Sequence, residues 1–250
     1  MTSGADGLII NADKHYSEED SFMRFPNAYA GVKKIFSSTI LSIISGVCSI
    51  GMAIVGIIAF AAAIASIGGE NAEGAMVGSG IAVIVFMFAS GVLSILATIF
   101  LLIGLKRAGK DDENFNSGFI TAIFVLIFTV VSTALGATNG GNNFYDDIAI
   151  LIANILRITT TLFVTRGITS LAEQIGDQKM VNIGMRLYLA FSVVLIVSTI
   201  LQIIGSIIQY NNVVASIAGA LLIASAITNI VAFIVYVIYL GKAKKMLKEA

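Results

Sequence analysis

The residue with the strongest chemical claim in this chain is Arg157, which sits inside an apolar run covering 148–164. A guanidinium keeps its proton at any physiological pH, so it cannot shuttle protons. It offers a fork of N–H donors to an anion or to a set of oxygen acceptors. At 100° per residue Asp147, Asn154, Arg157, Thr161 and Thr165 fall within an arc of about 80°, shared with Ile150. By a rise of about 1.5 Å per residue, Arg157 lies roughly 15 Å from Asp147 and 13 Å from Arg166. That depth places it mid-membrane, where an arginine costs about 2.5 to 3.5 kcal/mol on insertion scales. Two further polar stripes accompany it. One is Ser192, Thr199, Gln202, Ser206 and Gln209, interrupted by Leu195; the other is Ser225, Thr228, Asn229, Tyr236 and Tyr239. Depth counting puts Thr199 near Arg157, Gln202 near Asn154, and Asn229 lower. The expected polar pocket is therefore Arg157, Asn154, Thr161, Thr199, Gln202 and Asn229. Three readings of Arg157 compete: a structural tie to carbonyls and hydroxyls, a contact for an anionic solute or lipid head, and a pair with a partner's carboxylate.

Other chemistries lack their residues. One Cys (Cys48) excludes an intrachain disulfide or a Cys-rich metal site, and one His (His15) excludes any site needing two imidazoles. There is no HExxH, CxxC or P-loop sequence. Gly78-Ser79-Gly80 has a serine between glycines, but no base belongs to its end of the span. No Asp or Glu stands inside an expected span, so no carboxylate relay for protons or sodium is present. No catalytic, cofactor-binding or metal-ligating residue is expected, and the chain is read as non-enzymatic. Net charge is zero, which gives nucleic acid no bulk attraction.

These residues must be held by membrane helices. Of the 250 residues 57% are hydrophobic and only 12% charged, about half the usual charged share of a water-soluble domain. Six apolar runs are long enough to span a bilayer or nearly so: 37–67, 76–105, 119–137, 148–164, 187–208 and 213–240. The fourth is the shortest. Runs of this length in lipid are helices. The acidic residues Asp13, Glu18, Glu19 and Asp20 exclude a cleavable signal core, so the first span is expected to insert the chain. Lys and Arg gather before the first span, between the second and third, between the fourth and fifth, and after the sixth. The remaining three connections carry only Glu70, Glu73, Asp146 and Asp147. The positive-inside rule then predicts both termini in the cytoplasm of a cell with this protein in its cytoplasmic membrane. With no Trp, interfacial anchoring falls to residues such as Tyr188, Tyr236 and Tyr239.

The expected fold is an all-α polytopic bundle of three helical hairpins. A parallel internal triplication is legible in Gly31, Gly118 and Gly184, each followed fourteen residues later by Ser45, Ser132 and Ser198. The even spans leave through Gly104, Gly167 and Gly241 beside basic residues. Ser38, Ser42, Ser45 and Ser49 recur at three- and four-residue steps beside Gly46 and Gly56, a pattern that draws helices together. Glu73, Asp146 and Asp147 start the second and fourth helices, and Asp111, Asp112 and Glu113 precede the third, where carboxylates cap free N–H groups. Residues 1–36 form a polar N-terminal segment with a short juxtamembrane helix from Tyr29 to Phe36. Residues 241–250 extend the sixth helix as a basic tail. Residues 168–181 continue the fourth helix or lie on the inner leaflet. The six spans, 37–240, form one domain. The expected function is a scaffold or accessory subunit, with the bilayer and a membrane partner or a second copy as its contacts. The alternative is a channel or facilitator for a small solute or anion around Arg157.

Overall fold

The protein, seen as a computed structural model that describes residues 24–65, 72–138, 144–209 and 215–250, is all-helical. Among the described residues six helices follow one another: α1 (Pro26–Ala65), α2 (Ala72–Ala108), α3 (Glu113–Thr138), α4 (Phe144–Ile175), α5 (Gln178–Gln209) and α6 (Ala215–Glu249). No strand occurs among the described residues. Within α1 to α5, segments of 23 to 32 residues are long and apolar enough to cross a bilayer. Each helix packs on its neighbours in chain order, and α6 returns to α1, so the six close into a ring.

The helices run well beyond the apolar stretches. α4 has 32 residues, where the apolar run alone predicts a span of seventeen, 148–164. Past Val164 it carries Arg166 and Glu173, both exposed. The segment expected as a separate juxtamembrane helix, Tyr29 to Phe36, is the first part of α1, which opens at Pro26. Proline suits the first turn of a helix, where its missing N–H is no loss. α4 stops at Gly176, whose φ of +86° turns the chain. The N–H of Asp177 donates to the Ala172 carbonyl at 2.9 Å and that of Gly176 to the same carbonyl at 3.0 Å. Asp177 then accepts the N–H of Met180 at 3.0 Å and caps α5.

One core joins all six helices, and it lies at the end rich in Lys and Arg. Ala28, Val32 and Ile35 of α1 meet Leu105 and Ala108 of α2 and Phe115 of α3. Val164, Ile168 and Leu171 of α4, Leu187 and Phe191 of α5, and Tyr239, Leu240 and Leu247 of α6 complete it. Much of this core falls outside the apolar runs, where water still drives apolar surfaces together. Within lipid that drive is absent, and helices associate through close packing and hydrogen bonds. The glycines of the sequence pattern stand at the close approaches. A Cβ on Gly31 would lie 2.5 Å from the Gly104 carbonyl, and one on Gly104 2.8 Å from the Gly31 carbonyl. One on Gly167 would strike the Phe115 ring at 2.7 Å. One on Gly184 would strike the Thr169 hydroxyl. Gly118 faces Leu105 and Phe163 at 3.2 and 3.4 Å, and Gly241 faces Phe36 at 3.8 Å.

The α1–α2 interface continues as a ladder of serines. Ser38 donates to the Ala97 carbonyl at 2.6 Å. Ser45 meets Ser94 at 2.9 Å and Ser90 at 3.1 Å, and Ser49 meets Ser90 at 2.9 Å. Three of the four expected serines thus tie helices together; Ser42 is exposed instead. Of the acidic caps, Asp112 serves α3 by accepting the Asn114 N–H at 2.9 Å. Asp111 reaches a different helix, α1. The side chains of Glu73, Asp146 and Asp147, and of Ser198 in the repeat, lie outside the described residues.

Tyr236 and Tyr239 correct the sequence reading. Their amphipathic side chains suit the membrane interface, yet both are core residues, 6% and 1% exposed. The Tyr239 hydroxyl lies 3.3 Å from that of Thr169 and donates to the Thr165 carbonyl at the same distance. Phe191 stacks edge-on against Tyr236, with centroids 5.8 Å apart. A tyrosine on a helix that projects beyond the hydrocarbon can find its polar partner in the packed end of the bundle rather than at a lipid headgroup.

Candidate functional site

The contacts of α4 fix which way Arg157 points. Thr160 meets Thr121 of α3 at 3.0 Å, and Gly167 lies under Phe115 of α3. On the other side Thr169 touches Gly184 of α5 and Tyr239 of α6. At 100° per residue Val164 and Ile168 lie between these two contact directions, and Arg157 lies between those two residues, within about 20° of each. Val164 and Ile168 are fully buried in the middle of the core. Arg157 thus shares the face of α4 that looks into the ring. Yet it is exposed, about two turns further along, at about 10 Å beyond Val164. Ile150 continues the same face and is 44% exposed. Among the described residues the guanidinium has no hydrogen-bond or ion-pair partner.

The opposite wall behaves the same way. On α1, Gly31, Ser38 and Ser45 look toward α2, while Phe36 looks toward Gly241 and Lys244 of α6. Between those directions lie Ala28, Val32, Ile35 and Thr39, all buried. Further along the same face come Ser42, Gly46, Ile50 and Ile57, all exposed. A Cβ on Gly46 would find no atom within 4 Å. α1 and α4 are three places apart in a ring of six, so they face each other. Among the described residues the interior is filled at the basic end, which forms a floor, while Arg157 and Ile150 on α4 and Ser42, Gly46, Ile50 and Ile57 on α1 are exposed above it.

The other expected pocket residues divide. Asn154 and Thr161 are half-buried on α4. Thr161 donates to the Arg157 carbonyl at 3.2 Å, a bond within its own helix that leaves the guanidinium untouched. Thr165 of the same stripe is fully buried and belongs to the floor. Thr199 is half-buried on α5. The side chains of Gln202 and Asn229 lie outside the described residues. Sequence reasoning missed Thr160, Thr169, Ser90 and Ser94, all of which bond between helices. Thr161, Thr165 and Thr169 recur at four-residue steps, a signal that was legible.

Among the described residues no group of His, Cys, Asp and Glu is arranged to hold a metal ion. Among the described residues, what the arrangement offers is the Arg157 guanidinium above a buried, mainly apolar floor. No family model matches the chain, and neither a curated protein nor a solved structure matches it.

Proposed function

We propose that this is a non-enzymatic multi-pass membrane protein that takes an anionic group into its ring of helices, where Arg157 binds it. It serves as a facilitator or carrier for that anion. The observation that carries the reading is the direction of Arg157: inward, exposed and without a partner in the described chain. A charge in that position is costly unless something pairs with it. A scaffold or accessory subunit would use Arg157 to meet a carboxylate on a neighbouring membrane protein. That role favours the outer face of α4, where Arg166 and Glu173 stand, over the inner one. The inward direction supports the anion reading over the scaffold.

In the same reading the basic end lies in the cytoplasm, with both termini, and the protein resides in a cytoplasmic membrane. The three hairpins descend from one ancestral pair, which the recurrence of glycine at the close approaches supports. The floor, with Val32, Ile35, Ile168 and Leu240 fully buried, is the closed side of the pathway.

Uptake and binding in proteoliposomes of neutral lipid test this. The solutes run from chloride, phosphate and acetate to long-chain carboxylates, with wild type, Arg157→Gln and Arg157→Lys compared. Wild type should take up or bind an anion, Arg157→Gln should lose it, and Arg157→Lys should recover part. If no anion of any size depends on Arg157 while the protein stays helical and monodisperse, the reading fails.

A further inference from the structure

We infer that the anion is the head of an amphiphile, a long-chain carboxylate or alkyl phosphate, whose chain lies along the open inner faces of α1 and α4. This rests on the reading of Arg157 as an anion-binding group inside the ring.

The walls beside Arg157 are the first argument. Ile150 is 44% exposed on its own helix face, and Ile50 and Ile57 are 59% and 69% exposed on the facing one. A small hydrated anion gains nothing from such surfaces and must shed its water to reach the guanidinium. An alkyl chain leaves lipid for walls of the same polarity and loses nothing. Its headgroup gains a charge-assisted pair in a medium of low dielectric.

Access is the second argument. Away from the floor the sequence places Glu70 between α1 and α2, Glu73 at the start of α2 and Asp146 and Asp147 at the start of α4, with no Lys or Arg among them. Those carboxylates repel an anion arriving from water. They do not oppose a ligand that enters sideways from the bilayer. The floor itself admits nothing, since its central side chains are fully buried.

Gly46 provides the third. Its missing side chain leaves the α1 wall flat, with open space in front of it.

The experiment uses stearate carrying a nitroxide near its carboxyl, with the full chain in nanodiscs of zwitterionic lipid. Electron paramagnetic resonance reads the motionally restricted fraction. Wild type should hold a restricted fraction above that of empty discs. Arg157→Gln, or the methyl ester of the probe, should weaken it at least about tenfold, the loss of one charge-assisted bond. Gly46→Phe, at a position where a Cβ meets no atom within 4 Å, should fold normally and also lose the restricted signal. Unlabelled stearate should displace the probe at far lower concentration than acetate or phosphate.

If acetate or phosphate displaces the probe as well as stearate does, the amphiphile inference fails and the anion site stands. Restriction that is equal in wild type, Arg157→Gln and the methyl ester means lipid around the outside of the bundle, and overturns both. Absence of a restricted fraction in wild type overturns the amphiphile inference. Loss of signal in Arg157→Gln but not in Gly46→Phe removes the chain from the α1 wall and overturns it too.

Discussion

Asp111 accepts the backbone N–H of Ala28 at 2.7 Å, so a carboxylate in the α2–α3 connection caps a helix 83 residues earlier in the chain. Its other oxygen accepts from the Asn27 side chain at 3.0 Å. The first turn of a helix leaves N–H groups without partners, and they draw in negative charge. Asp111→Ala should lower stability by about 1 to 2 kcal/mol, the usual worth of such a cap, and Asp111→Asn by less. Unfolding in mixed micelles would measure both. Equal stability of all three proteins would show that the bond does no more than water.

Gly31 and Gly91 predict opposite outcomes for the same change. At Gly31 a methyl group meets the Gly104 carbonyl, the Ala108 Cβ and the Ala108 nitrogen at 2.5 to 2.7 Å, and backbone cannot swing aside. Gly31→Ala should push α1 from α2 and cost about 1 to 3 kcal/mol, as overpacking does. At Gly91 a methyl group meets nothing within 4 Å. Gly91→Ala should be neutral or stabilising by up to about 1 kcal/mol through helix propensity. Thermal aggregation in detergent ranks the two, and a Gly31→Ala protein as stable as wild type would contradict the close approach.

Tyr239 separates packing from hydrogen bonding. Its ring is almost wholly buried, while both bonds from its hydroxyl are long, at 3.3 Å. Tyr239→Phe should therefore cost well under about 1 kcal/mol. Tyr239→Ala should cost about 3 to 5 kcal/mol by opening a cavity in the floor. A Phe variant as damaged as the Ala variant would mean that the hydroxyl carries the contact.

The serine ladder should prove individually weak. Bonds between membrane helices average about 0.6 kcal/mol, because the separated helices also find partners. Ser45→Ala removes the hub that meets Ser90 and Ser94, and should cost roughly that amount. Ser45→Leu should cost several times more, since a bulky side chain holds the helices apart. Steric trapping of the α1–α2 pair can read the difference. Equal losses would show that spacing does not matter there.

How far the sequence revealed this structure varies by residue. The apolar runs gave every helix, because a bilayer demands about 20 apolar residues with their backbone bonds satisfied. The ends were harder to see. Arg166 and Glu173 look like loop residues to a count of apolarity, yet they continue α4 on a helix that the core stabilises. The stripe through Asn154 and Arg157 was legible as a periodicity. That Arg157 looks into the ring was not, since the direction depends on α3 and α5 packing on either side of α4. Tyr236 and Tyr239 misled because an amphipathic side chain suits an interface and a polar-lined core equally well. The trans cap by Asp111 leaves no trace in local sequence at all.

The return of α6 to α1 has a consequence for closure of the ring. Phe36 lies against Gly241, and the Lys244 ammonium sits 5.4 Å from the Phe36 ring centroid. Without α6 the first five helices form an open arc. In that arc α1 and α5 each present a face made for a neighbour that only the last segment of the chain supplies. The ring is complete only when that last segment packs against the first.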